Sequence, residues 1–342
     1  MTTDPAPLFW YPGHELQLPR IVRAENCHLF DAEGRRYLDL ESGVWCTVVG
    51  HRHPRIRRAL ITQADRVAHG GFGYTCEVVT LAADALLNLL KIDHGRCVFL
   101  CSGSEAVEYA VRVARMAAPH PRLLAFEDAY FGAYGSAHQK ASDHWALFDW
   151  RPCADCPDEK PCDTGCPHWT SIPFDELGGF LFEPGSSGGL VRFPPRKLID
   201  RIAVTVKTRG GLVLVNEVTT GMGRTGAWFG HQHYGLSPDI VALGKGLGNG
   251  YPVSATVVGP QVLAAIGEQE VAYAQSHQND PLGAAVAREV IAVLHDGNLV
   301  ARGRQVGTHL ADSLRAIQVR TGCITEIRSR GMMLAIDLSD QG

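Results

Sequence analysis

Five apolar runs in this chain break off in the same way, each against glycine, serine, asparagine or an acidic residue: RCVFLCSGSE, RLLAFEDAYFG, GGFLFEPGSSGG, GLVLVNEVTTGMG and DIVALGKGLGNG. The runs have the length of buried strands and are too short for helices. Helical patterns lie between them, as in EAVEYAVRVARMAA after the first. Strands alternating with helices demand an α/β fold, a mostly parallel sheet with helices on both faces. In such a sheet ligands collect beyond the carboxyl ends of the strands. The residues that end these runs are therefore where chemistry is expected.

Around this core, HLFDAEGRRYLDL at 28–40 reads as a β-hairpin, with apolar positions flanking an acidic and glycine turn. Pro54 opens a helix in GHRHPRIRRALITQADRV, and CEVVTLAADALLNLLKI is a second. PVSATVVG supplies one more strand, residues 281–318 read as helices, and MMLAIDL is a final strand. With 342 residues the chain has ample material for a core. A hydrophobic share of 45% and a charged share of 20% are those of an ordinary globular protein. A net charge of −4 without a basic run predicts no nucleic-acid or membrane partner. No apolar run is long enough to span a bilayer, and MTTDPAPLFWYPG lacks the pattern of a signal peptide, so the cytoplasm is the expected compartment.

Four run ends carry candidate groups. Ser102-Gly103-Ser104-Glu105 opens a helix whose free N–H groups suit an anion, although Ser and Gly also cap helices without a ligand. Tyr130-Phe131-Gly132 puts aromatics after a strand, where core packing is the plainer reading. Asn216-Glu217 ends the LVLV run. Lys245 stands between glycines after DIVAL, an unusual place for a side chain normally kept in water. A surface turn is one reading; an amine that must reach a buried electrophile is the other. An anion cradle, a stacking ring, a polar partner and such a lysine together describe a pyridoxal phosphate site.

On these residues the chain resembles the class III aminotransferases, pyridoxal-phosphate enzymes of fold type I that include ornithine, 4-aminobutyrate and ω-amino acid transaminases. The most specific run is NEVTTGMGRTGAWFGHQHYGLSPDIVALGKGLGNGYP, within a likeness extending from DAEGRRYLDLESGVWCTVVGHRHP to RGMMLAIDL. The resemblance implies a large domain with a sheet of the seven-stranded type and a small α+β domain built from both termini. The corresponding boundaries are 1–60 for the N-terminal segment, 61–295 for the cofactor-binding domain with an insertion at 151–168, and 296–342 for the start of the C-terminal part. It also implies a homodimer with active sites at the subunit interface.

Carried onto this chain, the resemblance makes Lys245 the Schiff-base lysine and proton carrier, with Gly103 and Ser104 at the phosphate. Tyr130 stacks on the ring, Val218 packs against the other face, and Ser276 reaches the phosphate across the interface. Glu183 and Trp45 belong to the substrate pocket. The implied reaction moves an amino group from an amine or an ω- or α-amino acid to a 2-oxo acid. Where the family has an aspartate on the pyridine nitrogen this chain has Asn216, and Thr219 replaces a glutamine near the phenolic oxygen. A carboxylate favours the protonated ring, whereas an amide serves an unprotonated one equally well. That exchange admits a racemase or epimerase on the same scaffold, or a weakly active cofactor-binding protein. The likeness stops at RGMMLAIDLSDQG, short of the family's further C-terminal segment, which often supplies an arginine for the substrate carboxylate.

Four of the ten cysteines crowd into RPCADCPDEKPCDTGCPHW: Cys153, Cys156, Cys162 and Cys166. They have the ligand count of a structural zinc site; an iron–sulfur cluster, a redox pair or a proline-stiffened loop with free or paired thiols are the other readings. The scattered six, Cys27, Cys46, Cys76, Cys97, Cys101 and Cys323, are expected to be small buried residues. His51 and His53 read as turn residues, and His231 and His233 as structural.

Overall fold

The computed structural model describes residues 20–71, 73–157, 159–186, 188 and 191–339; residues 1–19 and 340–342 of the expected terminal segments lie outside them. Strands β1 (Ile21–Glu25), β2 (His28–Asp31) and β3 (Arg36–Leu38) form a small antiparallel sheet in that order. The β2–β3 turn is held by Asp31, whose carboxylate accepts from the amides of Glu33 and Arg35, from Arg35 Nε and from the Tyr37 hydroxyl.

The apolar runs become one sheet of seven strands: β4 (Arg96–Leu100), β5 (Arg122–Phe126), β6 (Trp145–Phe148), β7 (Leu177–Phe182), β8 (Leu212–Asn216), β9 (Ile240–Leu243) and β10 (Ser254–Val258). Their order is β4-β10-β9-β8-β7-β5-β6, which puts the LVLVN run at the centre. Every neighbouring pair is parallel except those of β10, which is antiparallel to both β4 and β9. The stretch 244–253 before β10 is too short for the crossover of a dozen or more residues that a parallel return needs. All residues of β7, β9 and β10 are buried, as expected of strands covered on both faces.

The helix Gly103–Ala117 turns Ala106, Val107, Ala110, Val111, Val113 and Ala114 inward and lies on β9 and β10. The helix Arg196–Thr208 lies on β7 and β8. Phe126, Phe180 and Phe182 pack ring against ring in the core; truncating one such ring to alanine costs about 3–5 kcal/mol. At the C-terminal end, the helix Leu299–Thr321 leads into the antiparallel pair β11 (Ile324–Arg330) and β12 (Met333–Leu338).

The helix Arg196–Thr208 and strands β6 and β11 are additions to the sequence reading. The expectation for the scattered cysteines is corrected: Cys27 is exposed and the other five are only partly buried. Cys27 falls in the β1–β2 turn, and Cys46 follows Trp45 in a loop rather than a core strand.

Candidate active site

Five strands of the large sheet deliver polar groups to one place. After β4, Ser102 caps the helix that begins at Gly103, accepting from the Glu105 amide, while Glu105 accepts from the Ser102 amide. This capping box satisfies two donors and leaves the Gly103 and Ser104 amides at the helix mouth, where the dipole favours an anion. The turn there is tight: a Cβ on Gly103 would stand 2.6 Å from Val218 Cγ1, and one on Gly244 would stand 3.2 Å from the same atom. Glycine at both positions lets Val218 wedge between the ends of β4 and β9.

After β5, Gly132 takes φ +127°, a value open to glycine alone, and packs its Cα beside Ser104. Ser104 Oγ accepts from the Ala133 amide at 2.9 Å. Tyr130, half exposed, is gripped through its backbone on both sides. Its N–H donates to Glu183 Oε2 at 3.0 Å, beyond β7, and its carbonyl accepts from Asn216 Nδ2 at 3.0 Å, at the end of β8. Asn216 Oδ1 in turn accepts from the Val218 amide at 3.1 Å. These two contacts fix the orientation of a side chain that is 3% exposed: carbonyl toward Val218, NH₂ toward Tyr130 and the open side.

Its neighbour Glu217 has a different task. The fully buried carboxylate accepts from the Thr220 hydroxyl at 2.6 Å, the Gly230 amide at 2.8 Å, and the His231 amide and Nδ1 at 2.7 and 2.8 Å. Burial opposes ionisation, but His231 and these donors outweigh it and hold the carboxyl below the ordinary glutamate range. His231 is thus structural. His233 Nε2 meets Thr225, and His51 Nε2 meets Asp39 Oδ2 at 2.7 Å.

Lys245 follows β9 with a left-handed φ of +42°, an unfavourable backbone for a side chain that the fold nevertheless imposes. Its Nζ donates to Thr219 Oγ1 at 2.8 Å. Burial pushes its pKa down from the ordinary lysine value; Glu183 and Cys46 oppose that shift and Arg224 adds to it. The amine is therefore more available as a nucleophile than a surface lysine.

Two residues of this site escaped the sequence reading. Arg224, in GMGRTG, is a cation beside Lys245 whose Nη2 donates to the Trp45 carbonyl at 3.2 Å and whose Nε is buried without a partner. Cys46 faces both cations, and burial raises its thiol pKa while Lys245 and Arg224 lower it. Trp45, half-buried, closes a run of left-handed residues with φ of 55° at Ser42, 57° at Gly43, 55° at Val44 and 70° at Trp45. Each such residue other than glycine costs about 1–2 kcal/mol. No hydrophobic pattern signals such a turn. Ser276 is exposed and hydrogen-bonds to none of these groups. The four insertion cysteines stand apart from them, between β6 and β7.

Pyridoxal phosphate needs an amine for its aldehyde, an anion site for its phosphate, a partner for its ring nitrogen and apolar cover for its faces. Lys245, the Gly103 helix start, Asn216 and Val218 supply that set, and the glycine cradle between β4, β5 and β9 has the close backbone approach a phosphate requires. The residues present fit the group.

Comparison with known proteins agrees. The model of the aminotransferase class-III family matches residues 11–143 and 171–342. An acetylornithine aminotransferase of Mycobacterium tuberculosis is 34% identical, over 93% of this chain and 78% of its own. A leucine/methionine racemase of Thermococcus litoralis is 29% identical, over 93% of this chain and 76% of its own. Among solved structures, a Bacillus anthracis aminotransferase superposes with a TM-score of 0.86 at 23% identity, over 97% of this chain and 81% of the other. Among the described residues no helix is long and apolar enough to cross a membrane.

Proposed function

The chain belongs to the class III aminotransferase family, whose members transfer amino groups with pyridoxal phosphate, and we propose that it does so through Lys245. When bound, the cofactor draws electrons from the carbon bearing the amino group and so acidifies its proton. The observation that carries the residue assignment is the Lys245 amine, 2.8 Å from Thr219 Oγ1 and lowered in pKa by burial at the end of β9. Lys245 holds the cofactor at its aldehyde carbon and, once a donor has taken its place, moves the proton at the donor's Cα. Thr219 orients that amine.

The Gly103 and Ser104 amides hold the phosphate. Val218 covers one ring face and Tyr130 the other. Asn216 turns its second N–H to the ring nitrogen. Trp45 and Glu183 line the pocket, and Arg224 pairs with a carboxylate of the donor or of the 2-oxo acid. Ser276 is contributed by the partner subunit of a homodimer, in keeping with its exposure here. The enzyme works in the cytoplasm, with 61–295 as the cofactor-binding domain and the terminal segments 1–60 and 296–342 as a smaller one. A zinc ion or iron–sulfur cluster at Cys153, Cys156, Cys162 and Cys166 stands outside this chemistry.

The test is a half-reaction. The cofactor-loaded protein is mixed with amines and amino acids and followed by absorbance. Bleaching of the lysine-bound cofactor with release of an oxo product supports transfer; a spectrum that no donor changes refutes it. Asn216, together with the similarity to a racemase, favours one second reading, in which a proton leaves one face of Cα and returns to the other. Deuterium uptake at Cα with loss of handedness and no amino transfer would establish that reading instead.

A further inference from the structure

The family match omits residues 144–170, and within that gap lie all four crowded cysteines. After the strand Trp145–Phe148 its described residues have little regular structure, with the single turns Arg151–Cys153 and Pro167–Thr170. Pro152, Pro157, Pro161 and Pro167 stiffen it but add no core. The buried Trp150 and Trp169 anchor its two ends, but the described residues between them include no buried side chain, and such a stretch ordinarily needs a staple.

The four thiols lie along this one short loop. All are unpaired, so no disulfide supplies the staple. Cys153, Cys162 and Cys166 rest against the main core, and Cys153 lies within electrostatic reach of Cys156, Cys162 and Cys166. The loop is also fastened from outside: Lys197 Nζ donates to the Pro157 carbonyl at 2.8 Å, and Arg201 Nε to the Cys162 carbonyl at 3.3 Å.

We propose that Cys153, Cys156, Cys162 and Cys166 bind one zinc ion, which staples this insertion onto the helix Arg196–Thr208. The spacing is C-x₂-C-x₅-C-x₃-C, four ligands with no open position, the pattern of a structural site. Among the described residues no three of these sulfurs lie within 4.8 Å of one another. Zinc–sulfur bonds of about 2.3 Å in a tetrahedron bring sulfurs slightly closer than about 4 Å, so the loop tightens on binding. Binding releases the thiol protons. The base of the loop reaches toward the active site: Trp150 Nε1 donates to Asp128 Oδ1 at 2.9 Å, two positions before Tyr130. The zinc site is thus structural and steadies the loop that carries Tyr130.

The test is elemental analysis of the full-length protein, purified without chelator and dialysed, with a mercurial to release bound metal to a chromogenic indicator. The expected result is about one zinc per chain, set free as the four thiolates are blocked. Cys156→Ser should lose most of that zinc and unfold at lower temperature, yet keep the absorbance of bound pyridoxal phosphate. Wild-type protein with no zinc and four freely titrating thiols overturns the proposal. So does a mass two units low for a disulfide, or iron with acid-labile sulfide. Since the wild-type measurement alone decides, a variant that fails to fold leaves the test intact.

Discussion

Replacing Asn216 by aspartate installs the residue that the family resemblance leads one to expect there, and the geometry predicts a cost when the cofactor is absent. In the wild type the NH₂ group donates to the Tyr130 carbonyl at 3.0 Å, at a position 3% exposed. A carboxylate keeps the Val218 amide contact but faces Tyr130 oxygen to oxygen. The lost hydrogen bond is worth about 1 kcal/mol and the part-buried carbonyl left without its donor about 1–3 kcal/mol. The sum is about 2–4 kcal/mol. With an unfolding entropy of about 2.1 cal/mol/K per residue, a chain this long loses about 1.4 °C per kcal/mol, so the cofactor-free variant should melt about 3–6 °C lower. With cofactor bound, the carboxylate gains the ring nitrogen as a protonated partner, and the deficit should shrink or reverse.

The pH dependence of Asn216→Asp has a definite sign. Burial and the facing carbonyl raise the new carboxyl's pKa in the folded state above the ordinary value of about 3.9. Below that ordinary value the carboxyl is protonated in both states, its O–H can donate to Tyr130, and the deficit vanishes. It grows as pH climbs to the folded-state pKa. The assay is thermal melting of wild type and variant, with and without cofactor, at acid and at neutral pH. An equal drop with and without cofactor, or no drop without it, would refute the orientation argued for the amide.

The other predictions rest on single contacts. Lys245→Ala should lose the absorbance of covalently held cofactor, and capture of cofactor by the wild-type apoprotein should rise with pH along a curve centred below 10.5, because burial lowers the amine's pKa; a midpoint at or above that value contradicts the burial argument. Glu217→Ala strips a buried acceptor from Thr220, Gly230 and His231, and breaking such a pair should cost about 3–5 kcal/mol by denaturant melting. In the wild type, Glu217's depressed pKa contributes stability that is present above the ordinary 4.5 and lost as pH falls through the lower folded value. Arg224→Gln should raise KM for carboxylate-bearing substrates about 10- to 100-fold, the worth of a charged hydrogen bond, and leave simple amines unchanged; equal effects on both would exclude a carboxylate partner. Gly103→Ala should weaken cofactor affinity through the 2.6 Å clash with Val218, and Val218→Ala in the same chain should recover part of the loss.

Legibility followed the range of the interactions. The strand ends carrying Ser104, Asn216 and Lys245 could be read because strand burial and glycine turns are written over a few consecutive residues. The strand Trp145–Phe148 escaped because four residues before a proline-rich loop give no usable period. The Arg196–Thr208 helix lacks the N-terminal side-chain cap that would have announced it, since its N-cap is Pro195. Arg224 was hidden for another reason. It sits in a glycine-rich turn that reads as surface, and only the fold brings it to the Trp45 carbonyl, 179 positions away in sequence. The left-handed turn at Ser42–Trp45 has no sequence code at all, because Val44 is among the residues least suited to it.

The amide at 216 is explained by what it holds as well as by what it faces. Tyr130 projects from a loop between β5 and the short helix at Ser136–Gln139, half exposed and with little packing of its own. A ring expected to lie flat on a cofactor must be fixed through its backbone. Here that backbone is clamped from two strands at once, its N–H by the Glu183 carboxylate and its carbonyl by Asn216. The second contact requires a donor. An ionised aspartate has none, so the same substitution that would strengthen the cofactor's electron withdrawal would release one side of the clamp. Asn216 therefore exchanges some acidity at the ring nitrogen for a fixed Tyr130. The two effects separate experimentally: if the clamp matters more, Asn216→Asp lowers cofactor affinity even where it quickens proton removal from the donor.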